Sequence, residues 1–151
     1  MKSAFPEGTI NQIALLGGKV LKSTLPLLDS SSAASAKGPK RLSLPQGDLS
    51  NFYDGDEGIR YAAFIELKAG SPRGNHLHRV KVEHVYLISG EVSLIVQNSA
   101  SDRVTVELKP GDLVRIETGI AHVFCPVQDG CAVEFSPNRF DPADVERFAL
   151  I

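Results

Sequence analysis

From Ile59 to Phe135 the chain alternates short apolar runs with turn residues at regular spacing: IRYAAFIEL, NHLHRV, EHVYLIS, EVSLIVQ, RVTVEL, DLVRIE, AHVFC and CAVEF. Val, Ile, Tyr and Phe dominate these runs, and Gly, Pro, Asn and Asp separate them, which is the pattern of strands joined by tight connections. Ser89-Gly90 and Lys109-Pro110-Gly111-Asp112 read as turns. No stretch of this region carries a helical period. Eight short strands in succession predict an all-β antiparallel sandwich or barrel.

The flanks are less regular. Thr9 to Leu28 is apolar but poorly periodic, with Gly17-Gly18 inside it and Pro26 near its end. It reads as a short helix or as a strand added to the barrel edge. The Ser- and Ala-rich stretch 29–40 has little to bury and reads as a flexible linker. Leu42 to Asp56 is turn-rich. The chain therefore divides into an N-terminal extension, 1–58, and a barrel domain, 59–151. A last helical turn is expected where Asp141 can cap it with Pro142 in the first helical position.

Composition adds mainly exclusions. With 151 residues, 42% hydrophobic and 23% charged, the chain is an ordinary single globular domain. A net charge of -2 supplies no broad basic field, so nucleic acid is not an expected partner. No apolar run approaches the roughly 20 residues of a membrane span, and the start lacks a leader pattern. The expectation is a soluble cytoplasmic protein. Cys125 and Cys131 are too few for a disulfide framework. If Asp129-Gly130 forms a two-residue hairpin, Gln128 faces Cys131 and Cys125 faces Glu134, so the cysteines are not partners.

The chemistry concentrates in His76-Leu77-His78 and Glu83. On a strand, residues i and i+2 share a face about 7 Å apart, so both imidazoles aim into one space. Glu83 follows after a short bend, and His122 adds a third imidazole if the sheet closes. A lone strand histidine is ordinarily just a hydrogen-bonded polar group. Three imidazoles with a carboxylate form a ligand set for one divalent transition metal, Fe, Mn, Ni, Co, Cu or Zn, and suit Mg or Ca poorly. His84, adjacent to Glu83, points to the opposite face. Arg60, Arg73, Arg79, Lys81 and Arg115 read mostly as solvated charges, with Arg73 a candidate contact for an anionic substrate. Tyr61 and Phe124 read first as core or rim packing, and second as candidate substrate contacts.

The segment from Gly70 to Gly90 resembles the first motif of the cupin superfamily: Gly, five residues, His-x-His, four residues, Glu, six residues, Gly. The second motif is matched in part by Gly111, Gly119 and His122, with Glu117 standing where the family has Pro and Pro126 where it has Asn. The resemblance implies a single double-stranded β-helix (jelly-roll) barrel, with His76, His78, Glu83 and His122 as metal ligands, and homodimers. The segment from Pro72 to His78 and the ending from Phe135 to Val145 are similar to those of sugar epimerase and ketoisomerase relatives. The resemblance thus implies a small-molecule substrate and a metal-dependent isomerase or epimerase of a sugar or related oxo compound. Glu117 and Glu134 are the candidate bases. A mononuclear iron dioxygenase and a non-catalytic small-ligand barrel are the alternatives.

Overall fold

A computed structural model describes residues 10–29, 31, 37–99 and 102–151. Twelve strands lie within them: β1 Asn11–Leu15, β2 Val20–Thr24, β3 Leu27–Leu28, β4 Lys40–Leu42, β5 Leu49–Asn51, β6 Tyr61–Leu67, β7 Arg73–Leu77, β8 Glu83–Asn98, β9 Arg103–Leu108, β10 Asp112–Ile116, β11 Ile120–Ser136 and β12 Glu146–Arg147. Among the described residues only Leu16–Gly18 are helical, as a single 3-10 turn. None of these elements is a helix long and apolar enough to cross a membrane.

The two long strands form the spine. β8 and β11 run antiparallel along their whole lengths, from Ile120 opposite Asn98 to Phe135 opposite His84. The first half of β8 has β10 on its other side, and the second half has β9. β11 is flanked by β7 near His122 and by β6 beyond Gly130. The pair thus passes from one wall of the barrel to the other.

This passage corrects two expected turns. Ser89-Gly90 and Asp129-Gly130 are bends in continuous strands, where the register shifts between Gln128 and Cys131. Gly90 has φ +89, and a Cβ there would meet the Asp129 carbonyl at 2.9 Å. The two backbones cross too closely for side chains, so glycine marks a crossing here instead of a hairpin tip. Cys125 consequently pairs with Ser93, and Cys131 with Ser89 and Glu66, not with the partners a hairpin would give them. Both are free thiols.

Of the two readings of the N-terminal segment, the strand holds. β1 pairs with β2, and β2 with β10, so the segment extends the barrel sheet. β3, β4 and β5 make a separate small sheet. Of the linker expected over 29–40, residues 30 and 32–36 lie outside the described residues. The helical turn expected after Asp141 is a single β-turn, Asp144 N–H to the Asp141 carbonyl at 3.0 Å, with the Asp141 carboxylate accepting from Ala143 N–H. The next residues pair with β7 as β12, which ends any helix at once.

The main core is aliphatic: Val85, Leu87, Val92, Leu94, Leu108, Val114 and Ile116 are buried in one cluster with Val20 and Ala132. Each such side chain removed from water contributes roughly 1.5–3 kcal/mol. This core packs the barrel walls, and several of its members, among them Leu87, Val92, Leu108 and Ala132, also line the barrel's interior space.

Candidate functional site

A cavity of about 190 Å³ lies in the barrel, lined at one end by Tyr61, His76, His78, Lys81, Glu83, His122 and Glu134. Strand parity places them. His76 and His78 lie two apart, with their rings 4.8 Å between centroids. His122 sits directly across β11–β7 from His76, ring centroids 4.9 Å apart. The approach of β7 depends on Gly74, whose φ is +114 and whose Cβ would lie 2.6 Å from the His122 carbonyl. A larger residue there would push the two histidine-bearing strands apart.

Hydrogen bonds fix the tautomers. His122 Nδ1 donates to the Ile120 carbonyl at 3.0 Å, and His78 Nδ1 to the Asp144 carbonyl at 2.6 Å. Such bonds leave Nε2 as a free lone pair and are the usual outer partners of metal-bound imidazole. One ligand atom from each of His76, His78 and His122 lies within 4.8 Å of the others. His122 Nε2 and Glu83 Oε2 are 2.7 Å apart, yet both are buried without an aligned hydrogen-bond partner. Close contact without alignment is what is expected when two lone pairs aim at a common point instead of at each other. The donor set, three imidazoles and a carboxylate, fits a divalent transition ion.

The electrostatics follow from crowding. Burial, aided by His122 and His78, lowers the His76 pKa to about 4. Burial opposes the charge on Glu83, but His122, Glu134 and Lys81 outweigh it and hold the carboxyl well below its usual range. Burial likewise disfavours the imidazolium of His122, while Glu83 outweighs it and raises the pKa. Glu134 is pushed up to about 7 by burial and by Glu83, against the pull of Lys81.

The cupin domain family matches residues 63–135. The matched segment is just under half of the chain, and the all-β barrel built around it has the cupin fold. No curated protein matches the sequence. Among solved structures, a dTDP-6-deoxy-D-glucose-3,5-epimerase from Legionella pneumophila is similar, with TM-score 0.72 and 15% identity over 95% of this chain and 79% of that one. A dTDP-4-dehydrorhamnose 3,5-epimerase from Sulfolobus tokodaii gives 0.72 and 14%, over 93% and 82%. A TDP-quinovose 3,4-ketoisomerase from Campylobacter jejuni gives 0.65 and 16%, over 73% and 88%. At these identities the likeness is one of fold.

The cupin cavity sorts the remaining candidates. Tyr61, Arg73, Phe124 and Glu134 all line it. Phe124 stands edge-on to His122 at 5.9 Å, and Tyr61 stacks on Phe140 at 6.0 Å. Glu134 faces inward because β11 continues through the bend instead of turning back. Glu117 is a correction: it is not at the cavity. β10 buries Val114 and Ile116, so Arg115 and Glu117 face the other way and bond each other at 2.8 Å. His84 also lies away from the cavity, stacked on Phe135 at 4.7 Å.

Lys81 is the second correction. It is 5% exposed, not solvated, with Nζ 2.5 Å from Glu134, 3.6 Å from Glu83 and 4.5 Å from the Tyr61 ring centre. Its place comes from Asp144, whose carboxylate accepts from the N–H groups of Arg79, Val80 and Lys81 at 2.8–3.2 Å. Sequence carried only a faint signal for this: an aspartate in a C-terminal segment that resembles those of other cupins.

Proposed function

We propose that this cupin is a metal-dependent isomerase or epimerase of a sugar or another small oxo compound. The observation that carries the reading is the approach of His76, His78 and His122 to one another, with Glu83 against His122, beside an inward-facing carboxylate, Glu134. The similar structures, which are epimerases and ketoisomerases of nucleotide-linked sugars, support the substrate class. A bound ion there would act as a Lewis acid and polarise a substrate carbonyl.

The chain's own residues do the rest. Glu134, with a pKa raised to about 7, is matched to accept a proton from the carbon next to that carbonyl and to give it back. Lys81 holds the Glu134 carboxylate in place through its ammonium group. Glu134 moves one proton between the adjacent carbons, and the proton of the neighbouring hydroxyl passes to the former carbonyl oxygen, which together complete an isomerisation. Tyr61 and Phe124 bound the space and keep water from the reacting face.

The test is deuterium exchange. Metal-loaded protein in D2O with free and dTDP-linked keto sugars should place deuterium on the carbon beside the carbonyl, read by NMR. Exchange should stop with a chelator and in Glu134→Gln, while that variant keeps its metal. Full metal content with no exchange across the panel would favour a binding barrel without catalysis.

A further inference from the structure

The cavity has two chemically distinct ends. The charged end is continuous: His122 contacts Glu83, Glu83 contacts Lys81, and Lys81 contacts Glu134. The other end follows from strand register. Glu134 is flanked by Ala63 on β6 and Val85 on β8, and two residues along Ala132 is flanked by Ile65 and Leu87. Across the barrel, Val92 and Leu108 face each other on β8 and β9 and close the same end. Of these, Leu87, Val92, Leu108 and Ala132 are at most 2% exposed. None offers a hydrogen-bond donor or acceptor side chain. Arg73, the one other polar wall residue, is exposed and turns its Nε to the Glu66 carbonyl at 3.3 Å.

We infer that the substrate enters with its oxo group toward the histidines and an unsubstituted hydrocarbon end toward Ile65, Leu87, Val92, Leu108 and Ala132. It is therefore a deoxygenated oxo compound and not a fully hydroxylated sugar chain. This rests on the metal–carbonyl reading above. A hydroxyl delivered to the aliphatic end would lose its water and find no partner, which is costly. An alkyl end gains from burial instead. Size sets the limit: a cavity of about 150 Å³ holds benzene, so one of about 190 Å³ encloses roughly seven or eight non-hydrogen atoms. Any larger carrier group stays outside the barrel, past Phe140 and Val145, which are exposed wall residues.

The test uses cobalt-loaded protein and its visible absorption, which reports ligands reaching the ion. Probes are hydroxyacetone, 1-hydroxybutan-2-one and 1-hydroxypentan-2-one, against dihydroxyacetone and erythrulose. Affinity should rise about fourfold per added methylene. Erythrulose should bind about tenfold or more weakly than 1-hydroxybutan-2-one. Ala132→Val, which narrows the aliphatic end, should remove the gain in affinity per added methylene. Equal binding of the hydroxylated and alkyl series would overturn the inference and leave the metal–carbonyl reading standing. Failure of every probe to change the cobalt spectrum would overturn both.

Discussion

His122 Nε2 lies 2.7 Å from Glu83 Oε2, and neither atom has an aligned hydrogen-bond partner. Burial disfavours charge on both. Their mutual attraction nevertheless raises the histidine's pKa and lowers the glutamate's, so without a metal His122 holds a proton more readily than a free imidazole does. A metal binding there must displace that proton. Calorimetric titration of zinc in buffers of different ionisation enthalpy should therefore show proton release that grows as the pH is lowered. Uptake with no proton release would mean that His122 is not a ligand.

Ligand histidines and the neighbouring His84 should behave oppositely. His78→Ala or His122→Ala removes a donor from the converging set, and each should lower metal affinity by more than the 10–100-fold typical of losing an outer partner. His84 stacks on Phe135 at 4.7 Å and contacts Arg115 at 3.4 Å, outside the cavity. His84→Ala should lower the melting temperature and leave a full equivalent of metal in elemental analysis. Equal metal loss in the three variants would contradict the strand parity around Glu83.

That parity explains how much of the site was legible. His76 and His78 share one face by alternation, and Glu83 follows within one short segment on the next strand in sequence, although β11 lies between β7 and β8 in the sheet. Glu117 was open to the same reasoning, because Ile116 is a core position and its neighbour must face away. Lys81 was not legible: its burial depends on Asp144 and Glu134, which are 63 and 53 residues away. The bends at Gly90 and Gly130 were misread for a different reason. Glycine permits both a hairpin tip and a close crossing of strands, and only the continuous β8–β11 register decides between them.

The metal-free protein should lose stability in mild acid through His76. Its pKa is about 4 in the fold, lowered by burial and by His122 and His78, against an ordinary 6.5. The unfolded chain therefore binds the proton first. Stability from this group is full above about pH 6.5 and declines as the pH falls toward 4. Other groups titrate nearby, Glu134 among them, so the informative quantity is a difference. The melting temperature of the wild type between pH 7 and pH 4 should fall more steeply than that of His76→Asn. Parallel curves would show that His76 carries a normal pKa.

Asp144 gives the last prediction. Its carboxylate gathers three consecutive N–H groups, from Arg79 to Lys81, and its carbonyl takes His78 Nδ1 at 2.6 Å. One residue outside the ligand set therefore fixes the His78 ring and the loop that leads from His78 to Glu83. Asp144→Ala frees three backbone donors that only water could then satisfy, and the loop carrying Lys81 loses its anchor. The His78 acceptor is a main-chain oxygen and survives the substitution, but its position no longer holds. Metal affinity should drop by about 10–100-fold, the range for outer partners of metal-bound histidine, with the fold intact by circular dichroism. Asp144→Asn keeps one acceptor oxygen and should recover part of that loss. A cobalt spectrum and affinity unchanged in Asp144→Ala would show that the ligands hold their geometry without this clamp.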